Sequence, residues 1–266
     1  MRISNPTFGS DIEFFLQTRR GELFPAIGIV GGTKKDPKPL GQGYFIQEDN
    51  VAVEFNIPVC KTPKEFVRAV VTGLEKCTEK LPPTLMATSL ASAEFPYEYL
   101  QNAQAREFGC EPDMSAWTRD FNPRPRSDNE LLRSAGGHVH IGWKNPDMET
   151  RFELIKACDV FVGIPSLIED GDKRRRQLYG KAGAMRIKPY GVEHRLLSNY
   201  WMFDYSITAN VIQRYQKAID FINYGHVIAP EDAEEIVNAI NSSNYKKGYV
   251  MLDKYNKLMN NHANDF

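Results

Sequence analysis

Four cysteines are few for a chain of 266 residues, and Cys60, Cys77, Cys110 and Cys158 form no C-x-x-C pair. That excludes a disulfide framework and a zinc ribbon, and it points to a reducing, cytoplasmic setting. No apolar run approaches the roughly 20 residues needed to span a bilayer. Acids interrupt the apolar stretch at residues 1–17, so a secretion signal is not expected either. There is no excess charge of either sign: 33 Lys+Arg face 34 Asp+Glu, a formal net charge of −1. Nucleic acid is therefore not expected as a primary partner, because phosphate-backbone binding usually demands a basic excess. Internal repeats and low-complexity tracts are missing. So are a G-x-S-x-G elbow and a phosphate-binding G-x-x-x-x-G-K-[ST] loop; Gly31-Gly32-Thr33-Lys34 has the wrong spacing and reads as a hairpin loop.

What is present suits one globular domain, with 42% hydrophobic and 25% charged residues. Period-2 alternation predicts strands over 7–17, 44–47, 51–57, 136–143, 181–188 and 192–197, with another strand expected over 85–95 and a further apolar stretch at 23–30. Thr62-Pro63-Lys64-Glu65 opens a helix, with the cap, the proline and the acid each in its preferred place. Helical spacing continues over 147–169, with a break expected near Pro165. It returns over 199–223, with Gly225 as the C-cap, and over 230–240 and 245–259. Residues 96–135 follow neither period, which marks a functional insertion before the next strand. The pattern predicts an α+β fold: a curved, mainly antiparallel sheet with helices packed on one face. The whole chain, 1–266, reads as one domain, with a core over 1–201 and a helical C-terminal extension over 202–266 packed on it.

The strands carry charge in pairs. Asp11 and Glu13 share a face, as do Glu54 and Asn56, His138 and His140, Arg186 and Lys188, and Glu193 and Arg195. Alternation of this kind also arises wherever one face of a sheet meets water. Here the chemistry is sorted along the chain. Acids and amides come early, imidazoles next, and eight bases against one acid fall between Lys173 and Arg195. Carboxylates and imidazoles suit divalent metals. Guanidinium groups match phosphate oxygens in a two-pronged fashion. Lys173 to Arg176 also fit an exposed basic helix end.

The order Asp11-Ile-Glu13, Glu54-Phe-Asn56, Gly137-His138-Val-His140, Lys181-Ala-Gly-Ala-Met-Arg186 and Glu193-His-Arg195 resembles the glutamine synthetase-like carboxylate–amine ligases. It is most similar to the small amidoligases of that superfamily found in tailed-phage genomes, over roughly residues 8–201. The resemblance implies a concave sheet face holding ATP and Mg²⁺ or Mn²⁺. It also implies amide formation through an acyl phosphate. The substrates it implies are a small-molecule or peptide carboxylate and an amine, handled in the cytoplasm (a host's, if phage-encoded). It assigns metal to Asp11, Glu13, Glu54, His138 and Glu193. Phosphate goes to Lys181, Arg186, Lys188 and Arg195, and catalysis to Arg186, Arg195 and His140. Asn56, Arg119 and Arg124 fall on the substrate side, the two arginines because they lie in the irregular insertion. No second Glu follows Glu54 at seven or eight residues, where glutamine synthetase has one, so one metal is expected to be missing or held differently. The same face would also serve a metal-dependent phosphotransferase or ATPase, or an inactive relative acting as a binding or virion-associated protein. Oligomerisation is open, with sites expected to be complete within one chain.

Overall fold

A computed structural model describes residues 2–106, 113–123 and 128–264. Its strands are β1 (Thr7–Thr18), β2 (Leu23–Phe24), β3 (Lys38–Gly41), β4 (Tyr44–Asp49), β5 (Ala52–Asn56), β6 (Leu85–Thr88), β7 (Ser92–Glu94), β8 (Met114–Ser115), β9 (Leu132–Ser134), β10 (Gly137–Gly142), β11 (Ala184–Lys188) and β12 (Gly191–His194). Its α-helices are α1 (Pro63–Thr78), α2 (Ala103–Arg106), α3 (Met148–Cys158), α4 (Ile164–Glu169), α5 (Arg175–Leu178), α6 (Tyr205–Asn223), α7 (Ala233–Asn241) and α8 (Tyr245–Asn264). The main sheet runs β3-β4-β5-β1-β10-β12-β11-β8, with β2 and β6 also paired to the long β1. Every one of these pairings is antiparallel. The α+β class with helices on one face is as the sequence predicts.

One face of this sheet is apolar. Ile12, Phe14, Val53, Phe55, Val139, Ile141, Met185 and Val192 are all fully buried. They alternate with the polar residues because successive strand side chains point to opposite faces. Helix α1 packs against β1 and β5, α3 packs against β11 and β12, and α6 packs against both helices. Tyr215, Ile212 and Ile219 of α6 belong to the same hydrophobic cluster as the sheet, so the first helix after residue 201 is built into the core.

Local chemistry sets the helix ends. The Thr62 hydroxyl accepts from the Glu65 amide at 3.2 Å, and the Glu65 carboxylate accepts from the Lys61 amide at 2.7 Å. Asp204 caps α6 by accepting from the amides of Ser206 and Ile207. The left-handed backbone of Gly225 (φ 83°) lets it and His226 donate to the carbonyls of Ile222 and Phe221, as its reading as a C-terminal stop requires. Two expectations are corrected, and the apolar stretch 23–30 is resolved. The break in 147–169 is a π-turn, Asp159–Gly163, while Pro165 sits harmlessly in the first turn of α4. Only Leu23–Phe24 of the stretch 23–30 is strand. The strand expected over 181–188 starts at Ala184, because left-handed Gly183 (φ 75°) ends the preceding turn.

Candidate active site

Strand register gathers the polar faces into one row. Asp11 lies opposite Asn56 on one side and His138 on the other. Glu13 lies opposite Glu54, which in turn lies opposite Gln47. His140 lies opposite Glu193, which lies opposite Arg186. Directly opposed residues share a face of the sheet, so six strands present these groups together. They floor an open cleft of about 910 Å³, a figure that includes open solvent at its mouth.

Two groups of potential metal ligands stand on this floor. Asp11, His140 and Glu193 form one, and Glu13, Asp49 and Glu54 form the other. Within each group the ligand atoms lie within 4.8 Å of one another. In the first, His140 Nε2 is 3.1 Å from Asp11 Oδ2 and 3.9 Å from Glu193 Oε2, while its Nδ1 meets the Tyr190 hydroxyl at 2.7 Å. Asn56 donates to the other Asp11 oxygen at 2.6 Å. In the second, Gln47 donates to Glu54 at 2.8 Å, and the Gly136 amide donates to Glu13 at 2.7 Å. Three oxygen-donor carboxylates fit a hard divalent cation such as Mg²⁺. The mixed imidazole–carboxylate set also accepts Mn²⁺.

The second group is held against electrostatic cost. Desolvation and the Asp49 charge push the Glu13 carboxyl up to about 7. Burial, then the charges of Asp11, Asp49 and Glu13, drive Glu54 well above its ordinary value. The first group is already compensated. Burial opposes ionisation of Asp11, but His140 and Asn56 draw it down to about 2.

Glu193, 0% exposed, carries the cationic end of the cleft. Lys188 Nζ is 2.9 Å and Arg186 Nη1 3.6 Å from its Oε2, and His138 Nδ1 is 3.4 Å from its Oε1, with which Arg195 Nη1 makes a short contact. Burial opposes ionisation here too, yet Arg195, the two histidines and Lys188 hold the carboxyl below the usual range. Burial and the adjacent Arg195 push His138 well below its ordinary value, which favours the neutral ring.

Of the residues singled out in the sequence, Asp11, Glu13, Glu54, His138, Arg186, Lys188 and Arg195 line the cleft. His140 and Glu193 stand in the same row, and Asn56 steadies Asp11 from beside it. The two histidines differ from the expected division of labour. His140 joins Asp11 and Glu193, whereas His138 leans on Arg195. Lys181 lies in the turn before β11 and does not line the cleft. Arg119 is half exposed, paired with Glu149 at 2.7 Å and stacked over Phe152. Arg124 lies outside the described residues. Arg175 and Arg176, read as a possible exposed helix end, are buried.

Asp49 and Arg175 are among the cleft residues that were not foreseen. Asp49 ends β4 and shares its face with Gln47, and the tight turn into β5 returns it beside Glu54. It supplies the third acid that a search downstream of Glu54 does not find. Arg175 reaches the cleft from the short α5. Only its place in a run of bases marked it.

Residues 133–224 match the phage phiEco32-like COOH.NH2 ligase-type 2 family. That stretch holds His138, His140, Arg186, Lys188, Glu193 and Arg195, so the expected resemblance is borne out across the cationic half of the cleft. The family that this stretch matches is named for a COOH.NH2 ligase. No curated protein sequence matches. Among solved structures, a bifunctional glutathione synthetase from Pasteurella multocida aligns over 90% of this chain at 13% identity and a TM-score of 0.54. At that identity the likeness shows the fold. This chain spans 40% of that synthetase's length. A Plasmodium falciparum glutamine synthetase aligns over 86% of this chain and 54% of its own, at 10% identity and a TM-score of 0.42. Among the described residues, no helix is long and apolar enough to cross a membrane.

Proposed function

We propose that this protein is an ATP-dependent carboxylate–amine ligase working on the concave sheet face. The observation that carries the reading is the placement of two ligand groups, Asp11/His140/Glu193 and Glu13/Asp49/Glu54, beside the cations Arg186, Lys188 and Arg195 in one cleft. Phosphoryl transfer asks for positioning and charge neutralisation more than for a protein nucleophile. The cleft offers that chemistry. Bound Mg²⁺ or Mn²⁺ would neutralise phosphate oxygens and draw them toward the acids. Arg186, Arg195 and Lys188 would hold the transferring group in line, with Glu193 fixing their positions.

In the first step a substrate carboxylate oxygen attacks the γ-phosphorus of ATP and the bond to ADP breaks, which leaves an acyl phosphate. In the second an amine nitrogen attacks the acyl carbon, phosphate departs with the C–O bonding pair, and the nitrogen loses a proton to give the amide. Neither step needs a serine or cysteine nucleophile, in keeping with a floor built of acids, imidazoles and bases. Small-molecule or peptide carboxylates and amines are the substrates this reading calls for.

Phosphate release from ATP with Mg²⁺ or Mn²⁺ tests it, with and without pooled amino acids, amines and peptides, alongside mass spectrometry of the products. Amine-stimulated release with an amide product of matching mass is expected. Release that no acceptor alters, with no amide formed, would make the chain a phosphotransferase or ATPase instead.

A further inference from the structure

Arg175 is 3% exposed and lines the cleft, yet neither its charge nor its binding edge is satisfied by the protein. Nη1 is tethered to the Leu196 carbonyl at 2.9 Å. Nε has no hydrogen-bond partner, and Nη2 donates to none of the described residues. No carboxylate among the described residues lies within ion-pair distance of the guanidinium, although the Glu13 and Asp170 charges are near enough to favour it.

Burying a cation without a partner is costly, so such groups are normally paired. The fold nevertheless makes room for this one. A Cβ on Gly136 would stand 3.2 Å from Nη2 and 2.5 Å from the His138 ring, and a Cβ on left-handed Gly180 (φ 69°) would stand 2.6 Å from Nη1. Two glycines thus leave the space the guanidinium occupies, and its pinned Nη1 leaves the Nε–Nη2 edge for a ligand. That edge is the two-pronged donor set that matches paired anionic oxygens.

We infer that Arg175 binds an oxygen of the transferred phosphoryl group, completing a clamp with Arg195 across the cleft. The inference rests on the ligase reading for the identity of that group. Arg195 is close enough to Arg175 for the two charges to repel, and His138 adjoins both. Two guanidinium groups lining one cleft, close enough to repel, suit a phosphoryl group of two or more negative charges better than a single carboxylate. Burial lowers the affinity of Arg175 for its proton, to a pKa of about 10, which still leaves it charged at neutral pH.

The test is calorimetric titration of the full-length wild type, Arg175→Met and Arg175→Lys. The probes are inorganic phosphate, Mg–AMPPNP and Mg–ADP. Arg175→Met is expected to weaken phosphate and Mg–AMPPNP at least tenfold and Mg–ADP less than twofold. Arg175→Lys, which keeps the charge without the fork, should fall between and serves as the readout if the Met variant fails to fold. Unchanged affinities, equal weakening of Mg–ADP, or a wild type that binds no phosphate would each overturn the assignment. The ligase reading fails separately: phosphate binding that depends on Arg175, in a protein that makes no amide from any acceptor, keeps the clamp and rejects the ligase.

Discussion

Glu13 and Glu54 are register partners on neighbouring strands, facing the same cleft, with Asp49 completing a group of acids within 4.8 Å. Both carboxyls are pushed upward, Glu13 to about 7. Metal-free protein therefore holds protons here that its unfolded chain has released. The Glu13 contribution to stability should fall as pH rises from about 4.5, the ordinary glutamate value, to about 7, and then level off, while Glu54 adds a fall of the same sign. A tenfold change in proton affinity is worth about 1.4 kcal/mol, so the fall from Glu13 alone should be on the order of 3 kcal/mol. Urea melts in EDTA across that range should show it. Glu13→Gln should flatten the slope, and so should saturating Mg²⁺ or Mn²⁺. A slope of the same size in the variant would place its origin elsewhere.

Asp49 gives a sharper test of the second ligand group. Asp49→Asn removes one charge while nearly keeping the volume, and it lies away from the cationic end. Metal affinity should weaken at least tenfold, with turnover partly recovered at high Mn²⁺. The same variant should lower the Glu13 carboxyl, because the Asp49 charge is second only to desolvation in raising it. Mn²⁺ binding followed by electron paramagnetic resonance, together with ATP turnover against metal concentration, reads both effects. Metal dependence identical to wild type would mean that Asp49 holds no metal.

Glu193 is a different kind of acid. It is fully buried with Arg195, Lys188, Arg186 and His138 around it. Glu193→Gln leaves those cations facing one another, and breaking a buried pair by removing one partner costs about 3–5 kcal/mol. The variant should lose turnover and melt well below wild type. Added phosphate should recover part of the lost melting temperature by supplying the missing negative charge. A variant that melts like wild type would show that solvent reaches these cations more freely than the geometry implies.

Much of this site was legible because strand periodicity is a local property. The pairs at i, i+2 fix which residues share a face, and Asp11/Glu13, His138/His140 and Glu193/Arg195 all share one. What one strand cannot reveal is its neighbour. Asp49 joins Glu54 only through the register of the β4–β5 hairpin, and His140 rather than His138 reaches Asp11 and Glu193 because the antiparallel ladder places it opposite Glu193. Arg175 precedes the strand-borne bases in a run that reads equally well as solvated charge, and only tertiary packing buries it. Arg119 shows the converse: a base in the irregular insertion that the fold directs to Glu149, away from the cleft.

The last prediction concerns how β11 and β12 are held. Asp159, in the π-turn after α3, is fully buried. One of its oxygens accepts from the Trp117 indole and from the Gly183 amide, both at 2.6 Å. The other meets His194 Nε2 at 3.2 Å, and His194 Nδ1 meets the Tyr215 hydroxyl at 2.7 Å. π-turns interrupting α-helices are often found at functional sites. This one places a carboxylate behind the two strands that carry Arg186 and Glu193. Asp159→Asn keeps the shape but supplies one acceptor oxygen and one donor nitrogen. Facing the amide oxygen toward Trp117 and Gly183 turns its NH₂ toward His194, which then has to accept with Nε2 and donate with Nδ1 to Tyr215. Both orientations leave the charge behind β12 missing. A cost of about 1–3 kcal/mol is expected from the weakened buried hydrogen bonds, read as a lower melting temperature, with a red shift in tryptophan emission if the Trp117 loop loosens. Turnover per folded molecule should fall while metal affinity at Glu13, Asp49 and Glu54 stays as in wild type, because those residues lie on the far strands of the sheet. Equal loss of metal binding at that group would show that the network supports the whole sheet rather than the β11–β12 hairpin.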